Sequence, residues 1–242
     1  MENAFMPSVS VVVLCYKTGE SAKAFTQQIV EALESFTQDW EIVLVGNFHK
    51  GEPDSTPEIV QNLASQNPRI KAVVLEKQGM MGWDARKGFE AASGDILVLI
   101  DGDSQMPAND VLMVLRLFQE TQCDLAMTYR SNRHDGLARV INSRIYNLLF
   151  RMLFPGYYVR DVNSKPKALR RELYNKLELT SDDWFLDAEI VIKARRNSAR
   201  LAQIPTVFLR NESRKSFVKA DAIIEFIWNL LRARIKEFFG KR

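Results

Sequence analysis

The residues best suited to chemistry stand at the end of one apolar run. Ile96-Leu97-Val98-Leu99-Ile100 leads directly into Asp101-Gly102-Asp103-Ser104-Gln105. A buried strand ending in carboxylates at i and i+2 offers two hard oxygen donors, the ligand type that Mg²⁺ or Mn²⁺ takes. Gly102 between them lets the chain turn tightly and lets a ligand approach. Gln105 adds a neutral oxygen, so Asp101, Asp103 and Gln105 are the candidate cation ligands. Asp and Gly are also common where a strand merely turns, and the motif alone serves either reading. Two charged segments follow. Residues 130–171 carry ten Lys and Arg against two Asp and Glu. Such a stretch repels itself unless anions are near, which suggests phosphate groups or an anionic membrane surface. An exposed basic helix face is the plainer alternative. Residues 172–192 reverse the balance, six acidic against one basic, and contain Asp182-Asp183-Trp184-Phe185-Leu186-Asp187-Ala188-Glu189.

These groups need a frame, and the apolar periodicity supplies one. Residues 9–14, 41–45, 70–75, 96–100 and 124–128 read as strands. The first and fourth are continuous apolar runs of the kind buried on both faces of a parallel sheet. Helices are expected over 21–36, 58–64, 84–92 and 109–119. This alternation with short links predicts a parallel, doubly wound sheet, in which ligands sit beyond the carboxyl ends of the strands. Asp101 and Asp103 fall at such an end. The second half is less regular. Helices are expected over 139–153, 171–177 and 187–196. A strand over 201–208 should lie at an edge because of Pro205. A long amphipathic helix over 220–239 closes the sequence. Arg234 falls inside its apolar arc and must snorkel or find a partner.

Composition excludes several classes. The 242 residues are 46% hydrophobic and 26% charged, with a net charge of +3. That suits one soluble folded core and argues against disorder. No apolar run reaches the length of a bilayer span, and the opening residues read as a strand rather than a leader peptide. Cys15 and Cys123 are the only cysteines and His49 and His134 the only histidines. A disulfide framework, a Cys/His metal cluster and a Ser-His-Asp triad are therefore not expected, and reduced thiols in a cytoplasmic setting are. No helix-turn-helix, zinc-finger or RNA-binding signature accompanies the basic patches, so no nucleic-acid partner is expected. Hydride transfer is excluded as well. The dinucleotide Gly-x-Gly-x-x-Gly should follow the first strand, where this chain has Cys15-Tyr16-Lys17-Thr18-Gly19.

The segment from Lys77-Gln78-Gly79-Met80-Met81-Gly82 through Ala92-Ser93-Gly94-Asp95 to Asp101-Gly102-Asp103 resembles glycosyltransferase family 2. Val11-Val12-Val13-Leu14-Cys15-Tyr16 is similar to that family's first strand and nucleotide-contacting turn. The resemblance implies an α/β fold of the GT-A type, a single Rossmann-like domain with a mostly parallel central sheet flanked by helices. It assigns residues 1–216 to that domain and leaves 217–242 as a C-terminal amphipathic helix, for a membrane surface, a homodimer or simple core packing. Arg139-Val140-Ile141-Asn142-Ser143-Arg144 through Asn147-Leu148-Leu149, with Val159-Arg160-Asp161-Val162-Asn163-Ser164, resembles the dolichyl- and polyprenyl-phosphate sugar transferases within the family. Those have Gly-Phe where this chain has Lys165-Pro166.

Several roles are carried by that resemblance. Tyr16, Asn47, Lys77, Gly79 and Asp101 would bind the nucleotide-sugar. The second strand of the family usually ends in Asp; here Asn47 either meets the base through its amide or only makes a turn. Arg130, Arg139 and Ser143 would contact the acceptor phosphate or donor diphosphate. Phe208–Ser216 is similar to a loop that closes over the diphosphate, with Arg210 or Arg214 in the key position, although its glycine is missing. Asp187 and Glu189 are candidates for a general base. A phosphate acceptor is already ionised and would leave them only to organise the site. Asp182 and Asp183 are expected to cap a helix. The implied reaction is inverting transfer of a sugar from a nucleoside-diphosphate donor to a polyprenyl or dolichyl phosphate, or to a glycan. It would serve cell-surface polysaccharide or glycolipid synthesis, with Mg²⁺ or Mn²⁺, in the cytoplasm at the inner face of a membrane. A non-catalytic nucleotide-sugar-binding scaffold and a sugar nucleotidyltransferase are the alternatives on such a fold. The latter needs a Gly-rich, Arg-containing loop after the first strand, which is absent.

Overall fold

In the computed structural model, residues 7–134, 136–156, 158–209 and 221–239 are described. The continuous apolar runs form the middle of a seven-stranded sheet. β1 (Val9–Leu14) pairs in parallel with β2 (Trp40–Val45) on one side and with β4 (Ile96–Asp101) on the other. All six residues of β1 are buried, as a strand covered on both faces requires. β3 (Ile70–Val73) lies outside β2, also in parallel. The full order is β3-β2-β1-β4-β6-β5-β7. β6 (Lys167–Arg170) runs antiparallel to both β4 and β5 (Leu125–Arg133), and β7 (Leu201–Phe208) is parallel to β5. β6 is the element that periodicity misses: it has four residues, starts with a lysine and follows a cis Lys165–Pro166 bond. Pro205 lies in the edge strand, where a missing N–H breaks no ladder in the sheet interior.

Side-chain alternation sends the strands' apolar groups to both faces. Val11 and Val13 meet Phe25, Ile29 and Leu33 of α1 (Ser21–Glu34), Val60 of α2 (Thr56–Gln66) and Val111 and Leu115 of α4 (Asp110–Thr121). Val12 and Leu14 face the other layer, with Phe89 of α3 (Met81–Ala91), Leu173 of α6 (Arg171–Leu177) and Ile190 of α7 (Leu186–Arg196). Gly88 keeps α3 close to the sheet: a Cβ there would stand 2.3 Å from Val12 Cγ1. A third cluster joins α5 (Leu137–Leu153), α7 and α8 (Asp221–Phe239) through Tyr146, Phe150, Val191 and Leu230. α8 is therefore docked on the domain. Asn229 Nδ2 donates to Asp183 Oδ2 at 2.9 Å. Arg234 finds its partner one turn on, in Glu237, at 2.9 Å.

Candidate active site

Asp101 ends β4 beside Leu14 of β1, at the carboxyl edge of the parallel strands. The next residue is tightly enclosed: a Cβ on Gly102 would stand 3.0 Å from Leu14 O and 3.2 Å from Cys15 Sγ. Its N–H donates to Leu14 O at 2.9 Å, which pins the turn. Asp103 Oδ1 then accepts from Gln105 N–H at 3.1 Å, and Ser104 takes a left-handed φ of 58°. Gln105 Nε2 donates to Leu209 O at 3.1 Å. That leaves its Oε1 as an available acceptor.

A divalent cation suits this donor set. Asp101 and Asp103 supply carboxylate oxygens and Gln105 an amide oxygen. Among the described residues there is no group of three or more acidic, Cys or His side chains that could enclose a metal. Mg²⁺-type sites of one or two carboxylates, completed by water and substrate phosphate, have this open character. Burial pushes the Asp101 pKa up, and the neighbouring Asp103 and Asp187 add to the rise against the pull of Lys165.

Lys165 is the hub of the buried charges. Its Nζ lies 2.9 Å from Asp187 Oδ2 and 3.3 Å from Asp101 Oδ2. Lys167 Nζ lies 2.5 Å from Asp187 Oδ1 and donates also to Ser164 O. Lys165, Lys167 and Asp187 are nearly or wholly inaccessible. Burial opposes the charge on Asp187, but the two ammonium groups outweigh it and hold its pKa below the ordinary carboxylate value. Burial likewise opposes the charge on Lys165, which Asp101 and Asp187 more than restore.

Glu189 is engaged elsewhere. It accepts from the backbone N–H of Thr180 and Ser181, at 3.0 and 2.9 Å, from the Thr180 hydroxyl at 3.0 Å, and pairs with Lys193 at 2.7 Å. Burial raises its pKa, but Lys193 and Ser181 lower it further, below the usual value. Its work is to tie the 180–181 loop to α7. Asp183 Oδ1 accepts from Phe185 N–H at 2.9 Å, a turn just ahead of α7, whereas Asp182 pairs with Arg86.

The residues expected at the nucleotide converge at the ends of β1, β2 and β3. Lys77 Nζ sits 4.5 Å from the Tyr16 ring centroid and forms a buried ion pair with Asp84. Asn47 is fully buried. Its Nδ2 donates to Asp84 Oδ1 at 2.9 Å, and its Oδ1 accepts from Leu75 N–H at 2.8 Å. The amide therefore ties β2, α3 and the segment after β3 together. Burial raises the Asp84 pKa, and Lys77 and Asn47 work against the rise. Gly79 and Gly82 lie against the acidic island: Met80 N–H donates to Asp182 O at 2.7 Å and Gly82 N–H to Asp183 O at 2.9 Å. A Cβ on Gly82 would stand 2.5 Å from two backbone oxygens.

On the other side of β4, Arg130 grips Asp161 in a two-pronged pair, Nε to Oδ2 at 2.6 Å and Nη2 to Oδ1 at 2.8 Å. Burial acts against the Asp161 charge, yet Arg130 pulls its pKa down to about 2. Asn147 of α5 carries the connection onward. Its Oδ1 accepts from Val162 N–H at 2.9 Å, and its Nδ2 donates to Ser143 O at 2.8 Å. Ser143 is half-buried in α5, and Arg139 is exposed in its first turn. Arg210 and Arg214 lie outside the described residues.

The structure thus joins Asp101 with Asp187 through Lys165, and Arg130 with Ser143 through Asp161 and Asn147. Sequence reasoning missed Lys165, Lys167, Asp84 and Asp161 as partners. The one available signal was Lys165 itself, which replaces a glycine of the resembled pattern.

Comparison with known proteins places this geometry in a class. The pattern of Glycosyl transferase family 2 matches residues 10–178. The chain belongs to that family. It is 31% identical over 206 residues to Glycosyltransferase AglD of Haloferax volcanii, covering 81% of this chain and 32% of that protein. It is 28% identical over 172 residues to an undecaprenyl-phosphate 4-deoxy-4-formamido-L-arabinose transferase of Yersinia pestis, covering 71% of this chain and 51% of that one. The chain thus matches only about a third to about a half of the length of these relatives. Among solved structures, the glucosyl-3-phosphoglycerate synthase of Mycobacterium tuberculosis, in complex with Mn²⁺, UDP and phosphoglyceric acid, superposes with a TM-score of 0.70 at 18% identity, over 96% of this chain and 78% of that one. The mannosyltransferase PcManGT of Pyrobaculum calidifontis, in complex with GDP-Man and Mn²⁺, gives 0.63 at 17% identity, over 99% and 66%. At these identities the likeness is one of fold, and the fold is GT-A.

Proposed function

We propose that this chain transfers a sugar, with inversion, from a nucleoside-diphosphate donor to a polyprenyl phosphate at a membrane surface. The observation that carries the reading is the pair of carboxylates, Asp101 and Asp103, at the carboxyl end of β4. Tyr16 would lie on the donor side, backed by the buried Lys77–Asp84 pair. Asp101, Asp103 and Gln105 would hold Mg²⁺ or Mn²⁺, which when bound supplies positive charge to the leaving nucleoside diphosphate. Arg210 or Arg214 adds guanidinium charge to the same diphosphate. Arg130, Arg139 and Ser143 serve the acceptor side.

The choice of acceptor rests on Asp187 and Glu189. A sugar hydroxyl needs a base to take its proton. Asp187 is locked between two ammonium groups and Glu189 is engaged by four donors, so neither is a ready proton acceptor. A phosphate acceptor arrives ionised and asks for no base. Asp187 then acts by holding Lys165 and Lys167 in place.

Membrane contact is supported by two helices. Among the described residues no helix is long and apolar enough to cross a bilayer. α5 nevertheless exposes Leu137, Ile141, Ile145, Leu148 and Met152 at helical spacing, and α8 exposes Trp228, Leu231, Ile235 and Phe238. α5 also carries three Arg and no acidic residue. An apolar stripe with basic flanks suits an anionic lipid surface. It disfavours α5-to-α5 contact in a homodimer, which would oppose like charges.

The test is transfer from UDP- and GDP-sugars, with Mn²⁺, to undecaprenyl phosphate and, separately, to an oligosaccharide. The expected result is product on the lipid phosphate only, reduced roughly 10²–10³-fold in Asp103→Ala with folding intact. Product on the oligosaccharide alone would overturn the acceptor assignment. Full activity in Asp103→Ala would overturn the cation site.

A further inference from the structure

We propose that Glu52 and Lys17 read the base of the donor and that this base is guanine, the carboxylate taking its two adjacent N–H groups and the ammonium its carbonyl oxygen. The inference rests on the reading of the carboxyl end of β4 as the place of the donor diphosphate, and it adds the nucleotide that this reading leaves open. On one side of Asp101 the buried Lys165 closes against it at 3.3 Å. On the other side β1 and then β2 follow in the sheet. A nucleoside attached to a diphosphate at β4 therefore extends over the ends of these two strands. The segments that leave them carry Tyr16 and Lys17 after β1, and His49 and Glu52 after β2. They meet in an ion pair at the surface: Lys17 Nζ lies 2.6 Å from Glu52 Oε2, with the side chains 32% and 42% exposed. The Tyr16 hydroxyl donates to the same oxygen at 3.4 Å, and the Tyr16 and His49 rings stand nearly perpendicular with 6.0 Å between centroids. Asn47 is wholly buried, whereas the Lys17–Glu52 pair presents its charges outward.

Both partners are held by their turns. Lys17 has a left-handed φ of 54°, a conformation that costs a lysine more than a glycine. Thr18 fixes that turn, since its N–H and its hydroxyl both donate to Cys15 O, at 3.0 and 2.7 Å. Glu52 N–H donates to His49 O at 3.1 Å, across a turn in which Gly51 has a φ of 82°. Gly19 N–H donates to the Thr56 hydroxyl at 2.8 Å and links the two segments a second time. The hydrogen bond from Lys17 holds the Glu52 pKa below its ordinary value, so the carboxylate is ionised at neutral pH. An ionised carboxylate only accepts hydrogen bonds, and an ammonium only donates them. The pairing edge of guanine presents a carbonyl oxygen followed by two N–H donors, which matches an ammonium followed by a carboxylate. Uracil and thymine place one N–H between two carbonyls. Cytosine and adenine place an amino group beside a ring nitrogen that accepts. Each of these four turns an acceptor toward the second carboxylate oxygen, where like partial charges repel.

The measurement is calorimetric binding of GDP, inosine diphosphate, UDP, CDP and ADP, each with Mn²⁺, to wild type, Glu52→Gln, Lys17→Met and Asp103→Ala. Inosine diphosphate keeps the carbonyl and one N–H of guanine and lacks the second donor. ADP keeps the purine ring, and so separates stacking from recognition of the edge. Wild type should bind GDP about ten- to a hundredfold more tightly than UDP, CDP or ADP, with inosine diphosphate between. The amide of Glu52→Gln can accept from only one N–H and turns its own donor toward the other, so its GDP affinity should fall to that of ADP. Lys17→Met should weaken GDP binding by a smaller factor. A wild-type preference for another base, or for none, with binding lost in Asp103→Ala, would overturn the guanine assignment and leave the donor site standing. An equal GDP preference in wild type and Glu52→Gln would overturn the role of Glu52. No binding of any nucleotide, or binding unchanged in Asp103→Ala, would overturn the donor site, and this inference with it.

Discussion

The two halves of the sheet solve the problem of buried polarity differently. From β1 to β4 the strands are nearly all apolar. The main buried charge there is the Lys77–Asp84 pair, held by Asn47. From β5 onward the interior holds Lys165, Lys167, Asp187 and Asp161, with Arg130 partly buried beside Asp161, while α5 and α8 turn apolar stripes outward. Buried ions are costly unless each is paired, and replacing them with apolar groups is often neutral or stabilising. Their concentration in one half therefore points away from stability and toward a site that must handle anions. On the proposed function, the first half would frame the donor, and the second would meet the acceptor's charge and its membrane.

That contrast can be broken in three places, beginning with the largest effect. Asp187→Ala leaves two lysines buried around a missing partner and should destabilise the fold by about 3–5 kcal/mol. Urea unfolding would measure it, and a loss under about 1 kcal/mol would mean that the charge cluster is not the internal support described. Asp161 comes next. With Arg130 beside it, its pKa falls from 3.8 to about 2. The pair therefore adds stability above about pH 4, which is lost as the pH drops toward 2. Wild type should exceed Asp161→Asn by about 2 kcal/mol near neutrality, and the gap should close by pH 2. A gap independent of pH would assign the effect to packing. The smallest effect on stability belongs to the outer stripe. Ile141→Glu with Leu148→Glu should change unfolding by about 0.5 kcal/mol or less, yet should abolish co-sedimentation with phosphatidylglycerol vesicles. Wild type should prefer those vesicles to phosphatidylcholine and release them as salt rises. Retained vesicle binding in the double variant would remove α5 from the membrane contact.

Most of the frame was legible in the residues. Val9–Leu14 and Leu201–Phe208 form strands at the expected bounds, and Arg171–Leu177 the expected helix. Their apolar periods are strong and local. β6 was not legible, because a short segment with Lys167 at its start carries no such period. It pairs only because β4 and β5 present open edges on either side of it. The docking of α8 was open in the sequence, since its apolar arc is wide enough for several partners. Leu230 and Asn229 bind it to the domain, while the arc beyond stays exposed.

The sequence by itself determined the α/β order, the carboxylate pair at the end of an apolar strand and the family resemblance, because each of these lies within a few consecutive residues. Only the tertiary structure decided which charges meet. Lys165 and Asp101 are 64 residues apart, and Asn47 and Asp84 are 37 apart. Such pairs depend on strand order, on which side of the sheet each helix covers, and on where a four-residue antiparallel strand is inserted. These are properties of the packed chain, with no period or motif of their own.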